Sequence, residues 1–230
     1  SMHHIHPSRP GRSMTDLYPT LHAMDAERRC GGVRRLYGGD ALERLARARV
    51  CVLGVGGVGS WVAEALARSG VGHLTLIDPD HVAESNINRQ VHALDSSLGM
   101  AKVQAMAGRI REIHPACKVN GVEEFVTADN VAGLLAGRYD HVVDAIDNTR
   151  AKAALVVHCL HERLPFTCVG GAGGRTDPAR VRVGDLALTT HDPLLAKLRA
   201  NLRRWHGFPR EPGRRFGVEC VHSTEPLVYP

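Results

Sequence analysis

Short apolar runs, bounded by glycine, proline or polar residues, alternate along the chain with longer stretches whose apolar positions recur at helical spacing. Val50–Leu53, Leu74–Ile77, Val119–Val122, Val142–Ala145 and Pro165–Val169 predict five buried strands. Between them, Ser60–Ser69 (Ala-rich, stopped by Gly70), Gly99–Ile113 (followed by Pro115), Asp129–Leu135 and Thr149–Arg163 predict helices. Upstream, Asp40–Arg47 reads as a helix capped by Asp40, and residues 15–30 predict a short helix. Beyond the glycine cluster Gly170, Gly171, Gly173 and Gly174 the pattern weakens. Ala179–Val183 predicts one further strand, Leu194–Arg204 a basic helix, and Trp205–Arg215, rich in Pro, Gly and Arg, a mobile loop. Strands alternating with helices mean βαβ units, a parallel sheet and right-handed crossovers with helices on both faces. The expected fold is α/β: a doubly wound, mostly parallel, Rossmann-like sheet with an irregular C-terminal extension.

Composition refines this picture modestly. A chain of 230 residues with 43% hydrophobic and only 4% aromatic residues packs a core of Ala, Val, Leu and Ile, which suits helices on a parallel sheet. The opening SMHHIHPSRPGRSM lacks an apolar core, so residues 1–27 read as a tag-like leader and a short N-terminal segment, not a secretory signal. Residues 28–230 form the nucleotide-binding domain, with 175–230 a substrate-facing extension. No segment has the apolar length to span a membrane. The six cysteines form no C-x-x-C pair, which argues against a zinc ribbon, gives no disulfide framework and fits a reducing cytoplasm. The net charge of +5 favours an anionic partner only weakly.

The chemistry is concentrated between Val50 and Lys102. Gly54, Gly56 and Gly59, with Gly57 between them, give G-x-G-x-x-G between a strand and a helix. Such glycines let backbone N–H groups approach phosphate at a helix N-terminus. Asp78 ends the second strand, where a carboxylate can accept from ribose hydroxyls. Taken alone, these residues fit an NAD site equally well. Asn86, Asn88, Arg89 and Gln90 follow within a dozen residues, and Lys102 lies near the start of the next helix. Cations here would neutralise a triphosphate and stabilise the charge that develops as pyrophosphate leaves, which a hydride-transfer site does not need. Asp147 lies past the fourth strand, where it could hold magnesium or cap the helix beginning at Thr149; Asp144 is the alternative ligand.

These residues resemble the ATP-dependent adenylating enzymes of the ThiF/MoeB/ubiquitin-activating superfamily. RRLYG at Arg34–Gly38, NINRQVHAL, VGGAGGRTDP and GVECVHSTEPLVYP are similar to the branch that dehydrates threonylcarbamoyladenosine in tRNA. The resemblance implies that Gly56, Asp78, Asn88, Arg89, Lys102 and Asp147 bind ATP and magnesium. It further implies a homodimer in which an arginine crosses the interface, with Arg35 the first candidate and Arg34 and Arg29 behind it. The substrate would be tRNA, received by ten basic residues from Arg175 to Arg215. Cys168 reads as core, and Cys220 as core or catalysis. With no cysteine between them, a reaction without an enzyme nucleophile fits better than a thioester. The alternative is an activator of a ubiquitin-like sulfur-carrier protein. Whether a sulfur-transfer accessory protein docks, or a monovalent cation sits near Gly170–Gly174, stays open.

Overall fold

The computed structural model of the chain describes residues 26–228. The leader and most of the helix expected over residues 15–30 lie outside them. Helix α1 (Ala26–Tyr37) and α2 (Ala41–Arg47) precede β1 (Arg49–Leu53), α3 (Gly59–Arg68), β2 (His73–Ile77), α4 (Lys102–Ile113) and β3 (Lys118–Val122). Then come α5 (Val131–Leu134), β4 (His141–Asp144), α6 (Thr149–Glu162), β5 (Phe166–Val169), β6 (Val181–Asp185), α7 (Pro193–Trp205) and β7 (Glu219–Ser223). The seven strands order as β3-β2-β1-β4-β5-β7-β6, all parallel except β6, which runs against β7.

The apolar run of β1 is continuous because both of its faces are covered. Val50 and Val52 join Leu74, Leu76, Val103, Met106 and Ile110 beneath α3 and α4. Cys51 and Leu53 join Ile77, Val142, Leu155 and Cys159 on the α5–α6 side. A third cluster fastens α7: Leu195, Leu198 and Leu202 bury one helical face against Cys168, Val218 and Cys220. α3 is tied to α4 by Glu64, whose enclosed carboxylate meets Arg109 at 2.6 Å and Arg68 at 2.8 Å.

Several details differ from the sequence reading. Asp40 precedes α2, but its side chain makes no capping hydrogen bond and meets Arg44 at 3.3 Å instead, and the helix expected over Asp129–Leu135 shortens to Val131–Leu134. The helix expected from Gly99 starts at Lys102, because Gly99–Ala101 pair instead with His81 and Val82, and Gly99 takes φ +80°. The strand expected over Ala179–Val183 begins at Val181, because Pro178–Arg180 form a 3-10 turn capped by Asp177. β7 had no signal of its own: five residues with a Glu, a His and a Ser become a strand because they fit between β5 and β6.

Candidate nucleotide site

The strand order reverses between β1 and β4, and the carboxyl ends of these strands open the crevice where such sheets bind ligands. Gly54–Gly59 turn out of β1 into α3. Two glycines there are compulsory. Gly54 has φ +84°, and a Cβ on it would lie 2.7 Å from the Ala145 carbonyl oxygen; a Cβ on Gly59 would lie 1.7 Å from the Gly54 carbonyl oxygen. Gly56 and Gly57 are open toward the opposite side, where the Gln90 amide nitrogen and the Arg89 stem stand 3.9 Å and 3.5 Å from their Cβ positions. The sequence-predicted Arg89 and Gln90 are thus brought over the turn.

Arg89 is exposed and held from two directions. Its guanidinium donates to the Ser85 carbonyl and Asn88 Oδ1, each at 2.9 Å, and its own carbonyl accepts from Trp61 Nε1 at 2.9 Å. Nothing in the sequence pattern singled out Trp61, because a tryptophan on a helix reads as packing. Gln90 is buried, and its side-chain oxygen has no donor among the described residues. Asn86 serves the loop rather than a ligand: it is buried, and its Oδ1 accepts from Ala83 N at 2.9 Å. Asp78 accepts from Val55 N at 2.7 Å and Asp80 N at 2.8 Å, so it first holds the glycine turn to the end of β2. Each of its oxygens keeps a second lone pair for a ribose hydroxyl.

Lys102 is enclosed and meets the exposed Asp80 at 3.0 Å. Beside it lies His92, buried, with neither ring nitrogen partnered among the described residues. Burial, then the charges of Lys102 and Arg109, push its imidazole down to about 4, so it adds no charge near neutral pH.

The two aspartates after β4 have separate fates. Asp144 is buried against Lys152, whose ammonium touches Asp144 Oδ1 at 3.0 Å, the Asp144 carbonyl at 3.1 Å and the Ile146 carbonyl at 2.9 Å. Burial opposes the lysine's charge, but the adjacent carboxylate outweighs it and raises the lysine above its ordinary value. Asp144 is therefore not a metal ligand. Asp147 is exposed, and the cap of α6 is Asn148, which accepts from Arg150 N and Ala151 N. The capping alternative for Asp147 thus falls. Among the described residues no three His, Cys, Asp or Glu side chains cluster as a metal cage.

Of the N-terminal arginines, Arg29 donates to the Ile113 carbonyl at 2.8 Å and Arg34 to Glu43 at 3.1 Å, while Arg35 is exposed on α1. Cys168 and Cys220 face each other across β5 and β7, both fully buried. Their mutual contact and burial raise the Cys168 thiol far above its ordinary value. The basic segment also divides. The Arg175 guanidinium is buried and Arg199 is half-buried against Thr189, so these two brace the fold; Arg180, Arg182, Arg204, Arg210, Arg214 and Arg215 are exposed.

Comparison with known proteins fits this geometry. The ThiF family matches over residues 31–198. The tRNA threonylcarbamoyladenosine dehydratase of Escherichia coli (strain K12) is 52% identical over 202 residues, spanning 88% of this chain and 75% of the relative. The Haemophilus influenzae protein of the same name is 47% identical over 204 residues, spanning 89% and 78%. The crystal structure of the E. coli enzyme, TcdA, in complex with ATP superposes with a TM-score of 0.87 at 51% identity, covering 90% of this chain and 86% of that one. With its glycine turn at the switch point of a seven-stranded sheet, the chain belongs to the ThiF family, in the branch of the tRNA threonylcarbamoyladenosine dehydratases.

Proposed function

We propose that the chain uses ATP to close threonylcarbamoyladenosine in tRNA into its cyclic form with loss of one water. The observation that carries this reading is the meeting of the glycine turn with Arg89 and Gln90 at the switch point, while Cys168 and Cys220 are both fully buried. The unpartnered Gln90 oxygen is an enclosed acceptor beside that turn, a place a nucleotide hydroxyl would satisfy.

The substrate carboxylate attacks the α-phosphate of ATP and pyrophosphate leaves, giving an acyl-adenylate. The backbone N–H groups around Gly56 and Gly57 cradle phosphate at the start of α3. Arg89 and Lys102 stabilise the charge that grows on the leaving oxygens. Lys102 releases Asp80 to do so, a small loss because that carboxylate is 60% exposed. AMP carries off the carboxylate oxygen, and the carbamoyl group of the substrate attacks the acyl carbon. No enzyme nucleophile is needed.

Magnesium fits the donor set, since this ion keeps several waters and takes one or two carboxylates plus substrate phosphates. Asp147 would hold it, being exposed and free of capping duty. When bound, the ion supplies further neutralisation of phosphate charge. The assembly is a homodimer in which Arg35 reaches the partner's nucleotide, and the exposed arginines of the C-terminal part receive the tRNA backbone. Free thiols and a tRNA substrate suit the cytoplasm; among the described residues no helix is long and apolar enough to cross a membrane.

The test is incubation with ATP, magnesium and tRNA carrying the modified adenosine, followed by nucleoside mass spectrometry. Loss of one water is expected, with AMP and pyrophosphate in equal amount. AMP formed only on addition of a small protein ending in Gly-Gly would instead support the sulfur-carrier alternative. Arg89→Ala and Asp147→Ala should each abolish turnover with the fold intact. Affinity for tRNA should fall steeply with salt, and a flat profile would remove the arginine surface from the reading.

A further inference from the structure

A cavity of about 330 Å³ opens beside the glycine turn, large enough for a small ligand. Val58, which enters α3, forms its rim on the nucleotide side; the ends of β5 and β7 form its floor, and the strap Gly170–Asp177 its wall. The strap is pinned before any ligand arrives. The buried Arg175 guanidinium donates to the carbonyls of Gly171, His191 and Glu225. The Glu225 carboxylate accepts from the backbone of Thr176 and Asp177 and from the Thr176 hydroxyl.

Ring closure on an acyl-adenylate releases a proton. Whether the oxygen or a nitrogen of the carbamoyl group attacks, a bond to the acyl carbon forms, the bond to AMP breaks, and one N–H proton must go elsewhere. Of the cavity's side chains, arginine cannot accept it. Asp177 is engaged by Ala179 N at 3.0 Å and Arg180 at 3.3 Å. His222 remains: it lines the cavity at 9% exposure, its Nδ1 is enclosed without a hydrogen-bond partner among the described residues, and its other ring nitrogen is not among the enclosed unpartnered atoms.

We propose that this cavity seats the threonylcarbamoyl group of the substrate and that the His222 imidazole takes the proton released as the ring closes. The inference rests on the dehydratase reading above and assigns the half of the reaction that the glycine turn does not perform. Electron pairs balance within substrate and nucleotide: the attacking pair enters the acyl carbon, the C–O pair leaves with AMP, and the proton moves to imidazole. The groups facing His222 keep it neutral near pH 7. Burial lowers it most; Asp192 and the Cys220 carbonyl oppose this, while the Arg175 and Arg199 guanidiniums reinforce it.

The test separates the two half-reactions in His222→Gln, with folding checked by circular dichroism. Exchange of pyrophosphate into ATP, dependent on the modified tRNA, should stay within about threefold of wild type. The cyclic nucleoside should form about 10²–10⁴-fold more slowly, the usual span for loss of a general base. The wild-type cyclisation rate should decline on the acid side, and the variant should lose that limb. A folded variant that cyclises at nearly the wild-type rate, or loses exchange and cyclisation together, would overturn the assignment of His222. Ala172→Trp fills the cavity from its exposed wall and should raise KM for the modified tRNA at least tenfold with ATP binding unchanged. An unchanged KM would overturn the placement of the substrate. A wild-type protein that cyclises nothing would refute the dehydratase reading, and this inference with it.

Discussion

Lys152 is the most consequential side chain that the site description rests on without touching a ligand. It is fully buried, its partner Asp144 is 1% exposed, and its three donors meet three acceptors at 2.9–3.1 Å. Lys152→Met keeps the stem and removes the ammonium. Asp144 is then a buried carboxylate with no counter-charge, and the carbonyls of Asp144 and Ile146 each lose a donor. Breaking a buried pair from one side costs about 3–5 kcal/mol. With a urea slope of about 3 kcal/mol per molar, the unfolding midpoint should fall by roughly 1–1.7 M. Those two carbonyls belong to the turn that delivers Asp147, so kcat should fall as well, with the KM for tRNA little changed. The double variant Lys152→Met, Asp144→Leu removes both charges and should recover most of the lost stability. Urea melts followed by circular dichroism decide the matter. A single variant whose midpoint moves by less than about 0.3 M, or a double variant no better than the single, would refute the buried-pair argument.

The glycine turn makes a paired prediction. Gly59→Ala collides with the Gly54 carbonyl and should abolish ATP binding and unfold readily, whereas Gly57→Ala meets only the Arg89 stem at 3.5 Å and should fold with near-normal stability; equal thermal melts for the two would be inconsistent with this turn. Glu64→Gln should cost about 1–2 kcal/mol at pH 7, discounted because Arg68 and Arg109 are partly exposed. Burial disfavours the Glu64 carboxylate, but Arg109 and Arg68 outweigh it and hold the group below its ordinary value. Its contribution is therefore present above the unfolded carboxylate range and lost as pH falls through the depressed folded value. The gap between wild type and variant should close below about pH 4; a gap constant from pH 7 to 3 would contradict the pairing. Burial pushes Cys51 and Cys159 up to about 12 and Cys117 up to about 11, and Cys168 is raised by its contact with Cys220. Alkylation of the native protein at pH 8 should thus reach Cys30 alone, by mass spectrometry; labelling of Cys168 or Cys220 at a similar rate would restore a thioester route.

The pattern of the chain was sufficient for the first five strands, the helices between them and the glycine turn, because local apolar runs and glycine spacing report directly on burial and backbone freedom. It also singled out Arg89, Lys102 and Asp147 as candidates, because cations and a carboxylate beside such a turn suit phosphate and magnesium. What it could not decide was partnership, which depends on atoms distant along the chain. Alternation within DAID gives Asp144 and Asp147 different environments, but only the fold shows that Lys152 folds back onto the first. Arg175 and Arg199 look like their exposed neighbours until α7 and the last strand enclose them. β7 has almost no strand pattern, since it is the gap between β5 and β6 that makes it one. His222 becomes chemically distinct only there, where the sheet sets it against a strap drawn from fifty residues earlier and beside a turn made at the start of the domain.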